Sequence, residues 1–443
     1  MRNSASARLL VMGLLAILLL VPLMWVQSIV SERASRRTEA TAEVSGTWGG
    51  PQTIGGPVLA VPYTVSWIDN EGRPQRSPGR AFFMARSVQI DGQVATELRQ
   101  RGIFDVPVYR TTLKISGVFV RPDLDWIRPA PDVIDWDRAS VHVGLGDPHG
   151  VVRRATLQWR GRELPFAGGA DDVGLFRTGL HAPQTPIGDL AAGKEIPFAF
   201  TLELNGTRDL RFLPSAGETT VRLTSSWPHP SFSGTALPET RSVAGNGFTA
   251  EWRVQDFGRT YPAQWTNSEA KSDILPAAVA QSAFGVSLLQ PVDIYQQAER
   301  AVKYSVLFIV LTFLIFFLWE IFSATLLHPM QYAFVGFAIC VFYLLLVSIS
   351  EHTGFDLAYL IASSTTTLLI AGYARAVLRG LARGVSVLAA LTTLYGFLYL
   401  LLRLEDYALL AGSVALFLIL AFVMFITRGM DWYGMKLGGE ERT

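Results

Sequence analysis

Polar and apolar residues are separated along this chain instead of mixed, and that separation decides what it can fold into. The stretch from Leu327 to Phe355 shows it most sharply. No residue between Met330 and Ser350 is charged, and about 20 apolar residues suffice to cross a bilayer as a helix. His328-Pro329 precedes the run and Glu351-His352 follows it. With a rise of 1.5 Å per residue, His328 and Glu351 lie roughly 34 Å apart, at opposite faces of a membrane. The two cannot share a site.

The rest of the chain follows the same rule. Its first thirty residues are mostly apolar, a long middle segment is polar and rich in Gly, Pro and Trp, and the last third is apolar again. Hydrophobic residues make up 50% of the total and the mean hydropathy is +0.29, between a soluble domain and a pure transporter. Arg2 and Arg8 flank an apolar run from Leu9 to Val30. That run exceeds the core of a secretory signal and lacks a small-x-small cleavage site after it, so it reads as an uncleaved anchor. Pro22 is expected to kink it, which membrane helices tolerate. Five further spans are expected at 304–322, 330–350, 355–374, 384–402 and 407–426.

Lys and Arg in short loops set orientation. Arg375, Arg379 and Arg383 crowd one connection, and Arg428, Lys436 and Arg442 occupy the tail. The connection at Glu351–Gly354 has no basic residue, and Arg403 stands beside Glu405 and Asp406. Both termini are therefore expected in the cytoplasm, with the polar segment on the far side. Arg33, Arg36 and Arg37 run against this pattern, directly after the anchor. The expected division is an anchor at 1–30, an exported β-rich domain at 31–303, a five-span domain at 304–426 and a cytoplasmic tail at 427–443.

The polar segment reads as mostly β. Runs at Pro57–Trp67, Thr111–Val120, Ile196–Leu204 and Thr219–Ser225 are extended or alternating, which puts Leu113 and Ile115 on one face. Asp69–Gly72, Asp91-Gly92, Gly146–Pro148 and Asn205-Gly206 are expected as turns. Helical windows are expected at Ser31–Val44, Asp123–Ile127 and Val292–Lys303. A loose pattern shared by Leu113–Phe119 and Leu202–Leu210 raises an internal duplication. The fold class that follows is an α+β membrane protein: an N-terminal anchor, a large β-rich, sandwich-like domain and a C-terminal five-helix bundle.

Several runs carry a resemblance. Val30-Ser31-Glu32-Arg33-Ala34, Gly56–Pro62, Ile103–Tyr109, Ser226-Trp227-Pro228-His229-Pro230-Ser231-Phe232, Leu327–Tyr332, Ser350–Phe355 and Asp431-Trp432-Tyr433 are similar, in order, to the CreD family of inner-membrane proteins. The resemblance implies a bacterial inner-membrane protein tied to cell-envelope integrity, and with the orientation set by the loop charges it puts residues 31–303 in the periplasm. It also implies expression under a two-component envelope-stress regulator and links to colicin tolerance and β-lactam response. It implies no catalytic residues.

Read from the residues alone, six candidates stand out. Trp227, His229 and Phe232 lie on a stretch that Pro228 and Pro230 stiffen, suited to presenting a ligand or partner; equally, Trp227 and Phe232 could plug the β core. His328, near Glu320, and Glu351 with His352, near Asp356, Arg403, Glu405 and Asp406, mark the two membrane faces. A Glu-His pair could answer to pH; polar capping at the headgroup level is the plainer account. Each group holds at most one histidine, too few for a zinc site, and no cofactor is expected. Cys340, the single cysteine, falls in a span and leaves the polar domain without disulfides. Hydrolase and phosphate-loop signatures are absent, and Leu237-Pro238-Glu239-Thr240 departs from a sorting signal at Arg241. No catalysis is expected. A net charge of +1 offers nothing to nucleic acid. The expected partners are the lipid bilayer and an envelope component or membrane protein. Small-molecule transport by the C-terminal spans is the alternative, though their middles carry no charge and their polarity is confined to Ser363–Thr367 and scattered Tyr and Ser.

Overall fold

The computed structural model describes residues 5–169, 173–188, 190–191, 193–259, 261–270, 279, 281–288, 294–323, 327–404 and 407–428. Glu405, Asp406 and the tail residues Asp431, Trp432, Tyr433, Lys436 and Arg442 lie outside them. The chain forms two compact units, Met1–Arg37 with Val292–Thr443, and Thr38–Pro291.

The first unit is helical. It holds α1 (Ala5–Leu18) and the start of α2 (Leu20–Trp48). A short helix of the other unit, α3, spans Asn267–Ala270. Then follow α4 (Ile294–Lys303), α5 (Ser305–Ser323), α6 (Pro329–Thr353), α7 (Phe355–Val377), α8 (Leu381–Arg403) and α9 (Ala408–Thr427). Among the described residues, and taking 8–48 as one stretch, five helical stretches are long and apolar enough to cross a membrane, six if α4 and α5, bent by 47° against each other, form one span. The break between α1 and α2 falls at Leu19, one turn before Pro22, whose missing N–H leaves the Leu18 carbonyl without its helical donor. Leu19 itself is buried, seated where a Cβ on Gly336 of α6 would collide with it. Between α6 and α7 the chain reverses at Gly354, where φ is 81°, a conformation glycine adopts without a steric penalty.

Among the described residues, the second unit holds seventeen strands. They are β1 (Gln52–Ile68), β2 (Pro74–Arg101), β3 (Phe104–Val120), β4 (Val133–Ile134), β5 (Ser140–Gly144), β6 (Thr156–Trp159), β7 (Arg162–Pro165) and β8 (Ala167–Gly168). Next come β9 (Gly179–Ala182), β10 (Glu195–Thr207), β11 (Asp209–Phe212), β12 (Ala216–Ser225), β13 (Pro230–Gly234), β14 (Thr240–Ala244), β15 (Gly247–Gln255), β16 (Gln264–Thr266) and β17 (Phe284–Leu288). The broadest ladder runs β14–β15–β12–β2–β3–β10–β6–β7, antiparallel except where β12 meets β2. A second runs β16–β2–β1–β5–β9–β8, and a third β1–β11–β17–β13. The ladders share strands. Residues 74–84 of β2 pair with β1, and its later residues pair with β3 and β12. Inward residues of all three, among them Leu113, Phe119, Trp252, Phe284, Leu59 and Val141, form one buried core.

Two expected turns are strand interior instead. Asp91-Gly92 pairs with Lys114 and Leu113 on one side and with Arg222 and Leu223 on the other. Asn205-Gly206 pairs with Arg110 and Tyr109. A Cβ on Gly206 would strike the Tyr109 ring, and one on Gly92 would meet Leu223 and Leu113. Both glycines mark close side-chain approach within a strand. The window 123–127 forms turns, not a helix: Asp123 Oδ1 accepts the Asp125 N–H at 2.9 Å, a local alternative to helical bonding.

Candidate functional site

Beside each end of α6 a carboxylate reaches the N-terminal helices, one from α5 and one from α6 itself. Glu320, near the end of α5, is 1% exposed. It is ion-paired with Arg8 and accepts from the Tyr332 hydroxyl at 2.8 Å and from the Leu327 N–H at 3.3 Å. At the other end, Glu351 has a side chain 8% exposed, lies 3.6 Å from Arg33 Nε, and accepts from the Tyr295 hydroxyl at 3.0 Å. Each site combines a buried carboxylate, one arginine and one tyrosine. A buried charge is tolerated when paired and hydrogen-bonded. These are clamps that tie the N-terminal helices to the later spans.

Glu351 and His352 face different ways. Neighbours on a helix point about 100° apart, so His352 is exposed and its Nδ1 donates to the Ser348 carbonyl at 3.2 Å. His328 caps α6: its Nδ1 accepts the Met330 N–H at 3.3 Å while Gln331 Oε1 accepts the His328 N–H at 2.9 Å. That is a reciprocal capping box. Asp356 meets neither Glu351 nor His352 in any hydrogen bond or ion pair among the described residues; it pairs with Arg403 Nη2 at 2.5 Å and accepts from the Tyr399 hydroxyl at 3.1 Å.

Trp227 is half-buried against the β core, and Phe232 packs edge-on against Phe248 and Trp252 at 5.6 Å each. His229 is exposed, and its carbonyl accepts from Trp227 Nε1 at 3.2 Å. The aromatic pair therefore serves the core, while the histidine ring projects from the proline-stiffened turn.

Two concave surfaces went unread in the sequence. One is a trough of about 600 Å³ on the open face of the broadest ladder, lined by Lys114, Arg153, Arg154, Ser116, Thr156 and Glu203, among others. Cross-strand register sets a row of alternating charge beside it: Glu251, Arg222, Asp91 and Lys114 stand opposite one another on four adjacent strands. Arg222 lies 3.1 Å from Glu251 and 3.7 Å from Asp91. The other surface is a groove of about 770 Å³ between α7 and α8. Alternation on β2, β3 and β12 could have flagged the row, but strand pairing across a hundred residues is invisible in one sequence. Among the described residues, no group of three His, Cys, Asp or Glu side chains could hold a metal ion.

These features define a class: a multi-span membrane protein whose helical unit is clamped by ion pairs and whose second unit is a large multi-sheet β body. The family model described as inner membrane protein CreD matches residues 4–433. Inner membrane protein CreD of Escherichia coli (strain K12) is 35% identical over 428 residues, covering 95% of this chain and 92% of its own. The chain belongs to the CreD family of inner membrane proteins. A crystal structure of an M1 zinc metallopeptidase from Deinococcus radiodurans overlaps 39% of the chain and 38% of its own, at 12% identity and a TM-score of 0.18. So weak a likeness carries no argument about fold or activity.

Proposed function

We propose that the protein supports cell-envelope integrity by binding an envelope component in the periplasm through its β unit, while the helical unit holds it in the inner membrane. The component we infer is anionic and rich in hydroxyls. The trough carries this reading: Lys114, Arg153 and Arg154 offer cations among the hydroxyls of Ser116, Thr156 and Thr201, a lining suited to phosphate or carboxylate groups on a polar scaffold. Arg153 lies 3.5 Å from Glu203, so its charge is partly answered within the wall. No catalytic role enters the proposal, and the comparisons lend no support to transport.

The full chain carrying both Lys114→Glu and Arg154→Glu, expressed in a strain lacking the native protein, tests it. Loss of envelope protection at unchanged membrane abundance is the expected result. Full protection by the double variant, or an alkaline phosphatase fusion at Gly150 that stays inactive, would overturn the proposal.

A further inference from the structure

The groove between α7 and α8 is apolar along most of its length and charged at one end. Leu357, Leu360, Leu368 and Leu388 line it together with Ser363 and Gly396. Small residues make the room: a Cβ built on Gly396 meets nothing within 4 Å. Asp356 stands at the mouth, bonded to Arg403 and Tyr399, and Arg403 also donates to the Tyr399 hydroxyl at 2.9 Å. The side chains of Arg403 and Asp356 are 51% and 60% exposed, open to exchange partners.

We propose that this groove holds one ethanolamine phospholipid, its headgroup on Asp356 and Arg403 and an acyl chain along the Leu357–Leu368 wall. Length supports it. From Asp356 to Leu368 is about 18 Å of helix, close to the roughly 15 Å from headgroup level to the midplane of a 30 Å hydrocarbon core. Asp356 is the second residue of α7, so the charged end lies where a helix meets the interface. Charge selects the headgroup. The mouth presents one anion and one cation side by side, complementary to an ammonium and a phosphate on the same molecule. A glycerol headgroup would set its phosphate near the Asp356 carboxylate with no ammonium to offset it. A choline headgroup lacks the N–H donors that a primary ammonium offers a carboxylate. The inference stands apart from the trough and does not depend on it.

Native mass spectrometry of the full chain in detergent tests it, with ethanolamine, choline and glycerol phospholipids of identical acyl chains added separately. Ethanolamine lipid should be retained about tenfold more than either competitor, a difference of about 1.4 kcal/mol. Asp356→Asn should abolish that preference. Gly396→Leu fills open space without touching the charges, and should lower retention of the ethanolamine lipid about tenfold at unchanged helix content by circular dichroism. Equal retention of the three lipids, or a Gly396→Leu variant that retains ethanolamine lipid as the parent does, would overturn the proposal.

Discussion

Asp147, in the turn after β5, fastens the chain that enters the first strand of the β unit. Its Oδ2 accepts the Gly50 N–H at 2.8 Å and its Oδ1 accepts the His149 N–H at 3.0 Å, while Gln52 Nε2 bridges to the Asp147 and Asn205 carbonyls. Burial pushes this carboxyl up, but the Gly50 and His149 N–H groups and the His149 ring outweigh it and hold it below the ordinary carboxylate range. A carboxyl depressed in the folded state contributes stability above its unfolded value, about pH 4, and loses it as pH falls through the folded value. Asp147→Ala should therefore cost about 2 kcal/mol at neutral pH. Thermal melts followed by Trp fluorescence should show the gap to the parent chain narrowing below about pH 4. Gly146-Asp147-Pro148 was legible as a turn. What Asp147 holds was not, since Gly50 and Asn205 lie far from it in sequence.

At the scale of elements, the local signals that succeed and fail are of different kinds. Membrane spans are read from one continuous stretch, and α6 through α9 fall within a few residues of the expected limits. Hairpin signals such as Asp-Gly and Asn-Gly are equally local, yet they yield to strand pairing, on both sides at Gly92 and with Tyr109 at Gly206. The two glycines differ in what they admit. At Gly206 a methyl would meet the rigid Tyr109 ring, whose hydroxyl is fixed by the Asp209 carbonyl at 2.7 Å; at Gly92 it would meet only the flexible ends of Leu223 and Leu113. Gly206→Ala should cost about 2–3 kcal/mol and Gly92→Ala about 1 kcal/mol or less, as for overpacked cores. Thermal denaturation of the two variants side by side gives the order; a reversed order would show that the Tyr109 ring yields.

For the whole molecule, the ion pairs at both ends of α6 were hidden because their partners are about 300 residues apart in sequence. The signal was present in one form: Arg33 runs against the loop charges that set orientation, and in the structure it faces Glu351. The clamps differ in depth. Glu320 is buried with Arg8, whose side chain is 19% exposed, whereas Arg33 is 44% exposed. Removing one partner of a buried pair strands the other, at about 3–5 kcal/mol, while exposed pairs are worth less. Glu320→Ala should therefore lower the thermal midpoint in detergent by more than Glu351→Ala, and equal losses would contradict this ranking.

Strand β2 belongs to two ladders at once. A slip of one residue along 88–94, where burial alternates, would turn Val88, Ile90 and Val94 away from the core against both β3 and β12. The register of β2 therefore constrains both neighbours at once. One strand, through Val88, Ile90 and Val94, thus sets the inside and outside of two neighbours in a single register choice.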